Sequence, residues 1–466
     1  MSVGTGKSTF HAAMFPFLAM GHLTPFLHLS NKLAEKGNRI SYICPPKTIS
    51  RLESVNLYPN LITFLPLGLP HIDGLPHGAE TISDVSTSLA HLLMLAFFGS
   101  RKHVESILID LRPDFVFFDH AHWVPSFARQ VGIKSVAYIT SGAASTAYII
   151  VPSRNIQNDD DKTKLSLMEP PPDLPPDSSL KLHAHEVEDA IPFWADKNED
   201  SGGLTTHQLV VNSLIECDLI CIRTCREIED SYCDYLEIQY KKPVLPTGLL
   251  LPDQTHTLLE ERLANWLGSF KTGSVIYCAF GSQIILSKEQ FQELVLGIEL
   301  TGLPFLVALK PPAGFETVDE ALPDGFKARV GGRGLVHGGW VQQPKILAHK
   351  SVGCFVSHCG FGSLSESLLN DVQLVLMPQM DDQYLTSRLL SGELKVAVEV
   401  EKNESWFSKE SICSAIRIVM DEDCKAGFEI KANHLSLKGL LSKQGVESSY
   451  MDNFINKLQE EINKSV

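Results

Sequence analysis

Basic charge is in short supply in this chain of 466 residues, where 40 Lys and Arg stand against 55 Asp and Glu for a net charge of −15. A nucleic-acid binder normally carries a basic face, and an anchor to anionic membranes a polybasic cluster, so this balance argues against both partner classes. Long hydrophobic runs are lacking too. The longest, LAHLLMLAFF from Leu89 to Phe98, falls well short of a bilayer span and reads as a buried helix. The N-terminus is polar, and its first apolar run is broken by Pro16 and His22, so no secretory leader is expected and the chain reads as cytoplasmic. The 10 cysteines fall without paired spacing, which excludes a disulfide-stapled scaffold and suits buried thiols in a reducing compartment. Cys217, Cys221 and Cys225 suggest a metal set, but Cys217 ends a helical pattern while Cys221 sits in the strand-like DLICIR. His183 and His185 lack further ligands at zinc spacing, so no metal is expected.

Two nucleotide signatures are also missing. The opening GTGKST is only a fragment of a phosphate-binding loop: the position five before Gly6 is Met1 rather than glycine, and the strand-like run follows the motif instead of preceding it. No G-x-G-x-x-G follows the first strand-like run, which argues against a nicotinamide-dependent oxidoreductase. A nucleotide, if one binds, is held elsewhere.

What is present is ordinary globular material, 44% hydrophobic and 20% charged, in a chain long enough for two domains. Short apolar runs alternate with amphipathic helical patterns, the signature of parallel sheets flanked by helices. The strand-like runs are HAAMFPF, RISYIC, DFVFFD, KSVAYIT and DLICIR in the first half. In the second half they are SVIYCAF, PFLVAL, GLVHGGW, GCFVSH, QLVLMP and VAVEV. Ser287 and Gln290 form a capping-box pair ahead of Phe291, Leu294, Val295 and Ile298, which repeat at helical spacing. The charged, Pro-rich stretch from Asn158 to Ser179 reads as an exposed loop, and PTGLLLPDQTHTL near Pro246 to Leu258 as a boundary. The expected organisation is an N-terminal α/β domain over 1–248, a C-terminal one over 249–450, and a C-terminal helix over 451–466 returning to the first. Ligands of such sheets sit beyond the carboxyl ends of the strands.

At one such end, GCFVSH runs into HCGFGS and then the helical SLSESLLN. That places Gly360, Gly362 and Ser363 at a helix N-terminus, where free N–H groups and the helix dipole favour a phosphate, with His358 beside it. The same residues also fit a purely structural turn, with Ser363 and Glu366 as a capping box. In the first half, His22 lies between the first strand and the first helix. The positive end of that helix disfavours an imidazolium and suits a general base. Asp119, at the end of DFVFFD, is placed to orient the ring and balance its charge. Structural roles for both remain open on the residues alone.

The stretch WVQQPKILAHKSVGCFVSHCGFGSLSESLLNDVQLVLMPQMDDQ, Trp340 to Gln383, resembles the C-terminal signature box of plant UDP-sugar-dependent glycosyltransferases. Both ends match, as do Pro344, His349, Gly353, Cys354, His358, Cys359, Gly360, Ser363, Glu366, Pro378, Asp382 and Gln383. The similarity extends to MFPFLAMGHLTPFLHLSNKLAEKG, FVFFDHAHW and CAFGSQ, and is strongest to the branch that adds a second sugar to flavonoid or anthocyanin glycosides. The resemblance implies the GT-B fold, an α/β architecture of two facing Rossmann-like domains with an interdomain cleft.

It further implies that His22 is the catalytic base and Asp119 its partner. Trp340 would stack on uracil beside Val341 and Gln343, Glu366 would bind the ribose hydroxyls, and Asp382 and Gln383 the sugar hydroxyls. His358, Gly360, Phe361, Gly362, Ser363 and Ser282 would surround the diphosphate. Gly21, Thr140 and Ser365 would border the donor and acceptor, and Phe17, Met20 and Phe193 would wall an apolar acceptor pocket. Two departures stand out. Many members read HCGWNS where this chain reads HCGFGS, so Gly362 brings no side-chain amide; and Ser365 stands where the branch usually carries Trp. The smaller residue turns the expectation from glucose toward xylose, apiose or rhamnose. The implied reaction is an inverting, metal-independent transfer by a monomer, with a UDP-sugar as co-substrate and no prosthetic group. Transfer to an aglycone hydroxyl and an inactive UDP-sugar-binding protein are the alternatives. Asp159-Asp160-Asp161 satisfies a metal-binding D-x-D pattern but lies in a lysine-flanked loop.

Overall fold

The apolar runs pair side by side in parallel, because helical crossovers return the chain to the same edge each time. The computed structural model describes residues 9–154, 156, 160–188, 191–195, 197–198, 203–252 and 258–464. Among these, one sheet is built from β1 (His11–Phe15), β2 (Arg39–Cys44), β3 (Ile62–Pro66), β4 (Phe115–Phe118), β5 (Lys134–Ile139), β6 (Leu219–Ile222) and β7 (Val244–Pro246). Its order is β3-β2-β1-β4-β5-β6-β7, all neighbours parallel. The second sheet holds β8 (Val275–Ala279), β9 (Phe305–Ala308), β10 (Gly334–His337), β11 (Val352–Ser357), β12 (Gln373–Leu376) and β13 (Ala397–Glu399). Its order is β10-β9-β8-β11-β12-β13, again parallel throughout.

Both sheets are doubly wound, and each reverses its winding once, between β1 and β4 in the first and between β8 and β11 in the second. Helices cover both faces, which is why strands such as HAAMF, FVFF and VGCFVS are buried along their whole length. Two strands are absent from the sequence reading, ITFLP (β3) and VLP (β7). Both are sheet edges, where a short, half-buried run ending in proline is tolerated. The Asn158 to Ser179 stretch, read as loop, contains the helix Asp160–Met168. The Ser287–Gln290 capping box is formed as read.

The helix α1 (Met20–Glu35) follows β1, α2 (Ala143–Ile149) follows β5, α3 (Phe361–Leu368) follows β11, and α4 (Asp381–Arg388) follows β12. The last helix, α5 (Val446–Asn463), begins a few residues before the expected position and lies on the first sheet's half. Its Met451, Phe454, Ile455 and Leu458 share a core with Phe10, Ala12, Met14 and Phe117. Lys36–Asp452 (2.7 Å) and Lys32–Glu447 (3.2 Å) fasten its outer face. Among the described residues, no helix is long and apolar enough to cross a membrane.

Candidate active site

At the first sheet's switch point, β1 feeds through Pro16–Ala19 into α1, and β4 ends at Asp119. The N-cap Ala19 offers no side chain to the opening turn of α1, and no acidic residue lies in that turn. Asp119 organises the crossing instead. Its Oδ1 accepts the backbone N–H of Phe17 (2.8 Å) and of His120 (2.7 Å), and its Oδ2 lies 2.7 Å from His22 Nδ1. Burial pushes this carboxyl up, but the neighbouring His22 and these hydrogen bonds outweigh it and hold the group below its ordinary range. An ionised carboxylate only accepts, so Nδ1 of His22 is the donor in this contact. Thr140 Oγ1 stands 3.3 Å from the same Nδ1. The His22 side chain remains 26% exposed, which leaves Nε2 a route to solvent and to a ligand. Phe17 meets the ring edge-on at 5.5 Å, and His120 stands at 5.3 Å. Burial pushes His120 down to about 4, only partly offset by Asp119, so this second imidazole is neutral near pH 7.

The second switch point repeats the plan. β8 turns through Phe280-Gly281-Ser282, and β11 through His358-Cys359-Gly360 into α3. The His358 ring is wedged between two glycines: a Cβ on Gly281 would stand 2.8 Å from its Nε2, and one on Gly360 2.5 Å. Gly281 also has a φ of +66°, and Cys359 takes the left-handed region at +70°, so the turn is sharp on both sides of the imidazole. Burial pushes His358 down to about 4, opposed only by the Ala279 backbone, so it too is neutral.

The Ser363–Glu366 capping box does not form. The N-cap of α3 is Gly360, without a side-chain hydrogen bond, and both side chains turn to Gln343. Gln343 Nε2 donates to Ser363 Oγ (3.1 Å) and Glu366 Oε2 (2.9 Å), while Tyr277 OH donates to Gln343 Oε1 (3.3 Å). No N-cap side chain therefore takes up the first N–H groups of α3. Burial raises the Glu366 carboxyl, against the pull of Gln343 and Arg223. Trp340, 84% exposed, presents its indole to solvent next to buried Val341.

The two halves meet at α4. Asp382, half-buried in its first turn, is pushed up to about 6 by burial, with His22 the largest influence pulling it back down. Asp382, on the second sheet's half, thus lies within electrostatic reach of His22 on the first. Gln383, buried beside it, accepts the Gln379 N–H through Oε1 (3.0 Å). Gly142, at the head of α2, touches α3 directly, since a Cβ there would stand 2.8 Å from the Phe361 ring.

Residues 269–447 match the family model described as UDP-glucoronosyl and UDP-glucosyl transferase. The chain is 51% identical over 458 residues to a cyanidin 3-O-galactoside 2''-O-xylosyltransferase of Actinidia chinensis var. chinensis, covering 98% of this chain and 99% of the relative. It is 49% identical over 461 residues to an anthocyanidin 3-O-glucoside 2''-O-glucosyltransferase of Ipomoea purpurea, with 98% and 99% covered. The chain belongs to the UDP-glycosyltransferase family.

Solved structures agree on the fold. Glycyrrhiza uralensis UGT73P12, complexed with glycyrrhetinic acid 3-O-monoglucuronide, superposes with a TM-score of 0.80 at 19% identity, covering 98% of this chain and 96% of that one. Arabidopsis thaliana UGT89C1, complexed with UDP-L-rhamnose, gives 0.74 at 20% identity, covering 97% and 100%. This UDP-glycosyltransferase therefore has the GT-B architecture expected from its signature box.

The remaining expected site residues of the glycosyltransferase fall on both halves of the chain. Gly21 is exposed with open space where a Cβ would stand, Met20 is half-buried, and Phe17 is buried against His22 and His120. Ser282 is exposed on its turn. Ser365 is buried, with its hydroxyl donated to the Phe361 carbonyl (2.8 Å). The Phe193 side chain lies outside the described residues, as does part of the Asp159–Asp161 stretch.

Sequence reasoning missed two charged residues of the glycosyltransferase, Glu229 and Arg223. Buried Glu229 caps α2, accepting the N–H groups of Ala143 and Ala144 (2.8 Å each) and the Thr224 hydroxyl. It thereby fixes the Thr140–Gly142 loop that reaches both His22 and Phe361. Two charges close to the buried strand DLICIR were the available signal. His120 packs against Phe17 and the His22 ring.

Proposed function

We propose that this enzyme moves a sugar from a UDP-sugar to a hydroxyl of the sugar already carried by a flavonoid glycoside, inverting the anomeric carbon. Two relatives that match over nearly the whole chain are named for that class of reaction, which supports the acceptor assignment. The donor we assign is a pentose, xylose first, in line with the 51% identical xylosyltransferase and the small Ser365.

One observation carries the reading: the 2.7 Å His22–Asp119 pair lies within electrostatic reach of Asp382 of the opposite half. His22 Nε2 removes the acceptor hydroxyl proton as the oxygen attacks the anomeric carbon, and the C–O bond to UDP breaks on the far side. Asp119 holds the ring and balances the imidazolium that forms. The α3 N–H groups, His358 and Ser363 take up the charge on the departing diphosphate, with Ser282 alongside and no metal ion required. Trp340 and Gln343 hold uracil, Glu366 the ribose, and Asp382 with Gln383 the transferred sugar. Residues 1–248 form the acceptor lobe and 249–450 the donor lobe, and the segment 451–466 belongs with the acceptor lobe. The enzyme works as a cytoplasmic monomer.

The test pairs a panel of UDP-sugars with cyanidin, cyanidin 3-O-glucoside and cyanidin 3-O-galactoside, with products read by mass and linkage by NMR. A pentose added to the sugar of the glycosides is expected. Exclusive use of bare cyanidin overturns the acceptor assignment, and exclusive use of UDP-glucose overturns the donor.

A further inference from the structure

Arg223 follows β6 in the half of the chain that carries His22, yet its guanidinium lies against the donor helix. It is 3% exposed. Nε donates to the Leu249 carbonyl (2.8 Å) and Nη2 to that of Leu250 (3.2 Å), both in the segment joining the two sheets. The remaining nitrogen, Nη1, sits 3.3 Å from where a Cβ on Gly362 would stand, and the guanidinium lies 6.0 Å from the Phe361 ring centroid. Phe361 and Gly362 form the first turn of α3, the turn assigned above to the diphosphate.

The charge balance around this group is incomplete. Among the described residues no carboxylate lies within ion-pair distance of Arg223, and its hydrogen bonds end on neutral carbonyls. Glu366 acts on it only from a distance. Burying a cation without a paired anion is costly, and folds keep such a group where an anionic ligand completes the pair. Gly362 is the steric counterpart: any side chain there crowds Nη1, so the glycine leaves the guanidinium its place beside the turn.

We propose that Arg223 is a donor-binding residue supplied by the acceptor lobe, with Nη1 directed to the diphosphate of the UDP-sugar held at the first turn of α3. The inference rests on the proposed placement of the diphosphate at that turn. A cation on one lobe bound to an anion on the other also ties the relative position of the lobes to donor occupancy, because the same guanidinium grips the connecting segment.

The test measures the affinity of the full chain for UDP and for uridine by calorimetry, in wild type and in Arg223→Gln, Arg223→Met and Arg223→Lys. UDP and uridine share the base and ribose contacts and differ in charge at the turn. Removing the cation (Gln or Met) is expected to weaken UDP roughly ten- to a hundredfold while uridine changes by less than about twofold, and Lys is expected to retain most of the UDP preference. Met is similar in length and apolar, so it keeps the test alive where a buried Gln does not fold. Unchanged UDP affinity in the folded variants, or parallel losses for UDP and uridine, overturns the role of Arg223. A wild type that binds neither compound overturns the proposed donor site itself.

Discussion

His22 and Asp119, separated by 97 positions in the chain, meet through a 2.7 Å contact, while the second oxygen of Asp119 is held by two backbone N–H groups. The carboxylate is thus locked before it meets the imidazole, and the imidazole tautomer follows from the lock. Replacing Asp119 by Asn puts an amide donor within reach of Nδ1 and undoes the tautomer preference. Asp119→Asn is expected to lower kcat by roughly 10²–10⁴-fold with UDP affinity unchanged. Steady-state kinetics beside calorimetry of UDP binding check this, and full turnover in the variant removes the pair from the mechanism.

Asp382 is expected to give the enzyme an acid limb in its pH profile. Burial places its titration near 6, so below that pH it is protonated and loses acceptor capacity toward sugar hydroxyls. KM for the UDP-sugar is expected to rise as pH falls through about 6, and this dependence should vanish in Asp382→Asn. A raised folded-state pKa also means that stability falls as pH rises from the unfolded carboxylate range to about 6. Asp382→Asn should therefore melt at a higher temperature than wild type above pH 6, and the difference should shrink toward pH 4. Identical melting differences at both pH values would contradict the titration.

Glu229 ties the backbone of α2 to the catalytic loop. Glu229→Gln turns one acceptor oxygen into a donor facing an N–H, which costs about 1–3 kcal/mol. The variant is expected to show a lower melting temperature together with a raised KM for the acceptor, because Thr140 and Gly142 lose their anchor. A kcat and KM equal to those of wild type, in a variant that melts lower, would reduce Glu229 to a purely structural cap.

Gly281 is constrained twice, by its φ of +66° and by the His358 ring 2.8 Å from its absent Cβ. Gly281→Ala incurs about 1–2 kcal/mol of backbone strain and displaces the imidazole from the diphosphate turn. UDP affinity is expected to fall at least roughly tenfold, as calorimetry can read directly.

Much of this was legible in the residues. Strands buried on both faces announce themselves as continuous apolar runs, and RISYIC and DFVFFD needed nothing more. Around His358 the glycine turn and the helix start leave local traces, whereas the roles of Gln343 and Glu366 were implied only by the family resemblance. Edge strands such as VLP leave hardly any, since packing on one side asks little of the sequence. Ser363 and Glu366 read as a capping box because that pattern is local, whereas their partner Gln343 lies 20 residues away from Ser363. Arg223 and Glu229 stayed hidden for the same reason: what distinguishes them is partners far along the chain, Phe361 and Gly362 for Arg223 and Ala143 and Ala144 for Glu229. Ser178 and Ser179, read as loop, hydrogen-bond Tyr232 and Glu393 respectively for the same non-local reason.

The seating of α5 on the first sheet has a mechanical consequence. The polypeptide passes from one lobe to the other after β7 and returns before Val446, so two covalent tethers join them. Two attachment points define an axis. Swinging about that line leaves both tethers slack, whereas twisting across it stretches one of them. The last helix thereby anchors the second half to the first sheet at both of its chain ends.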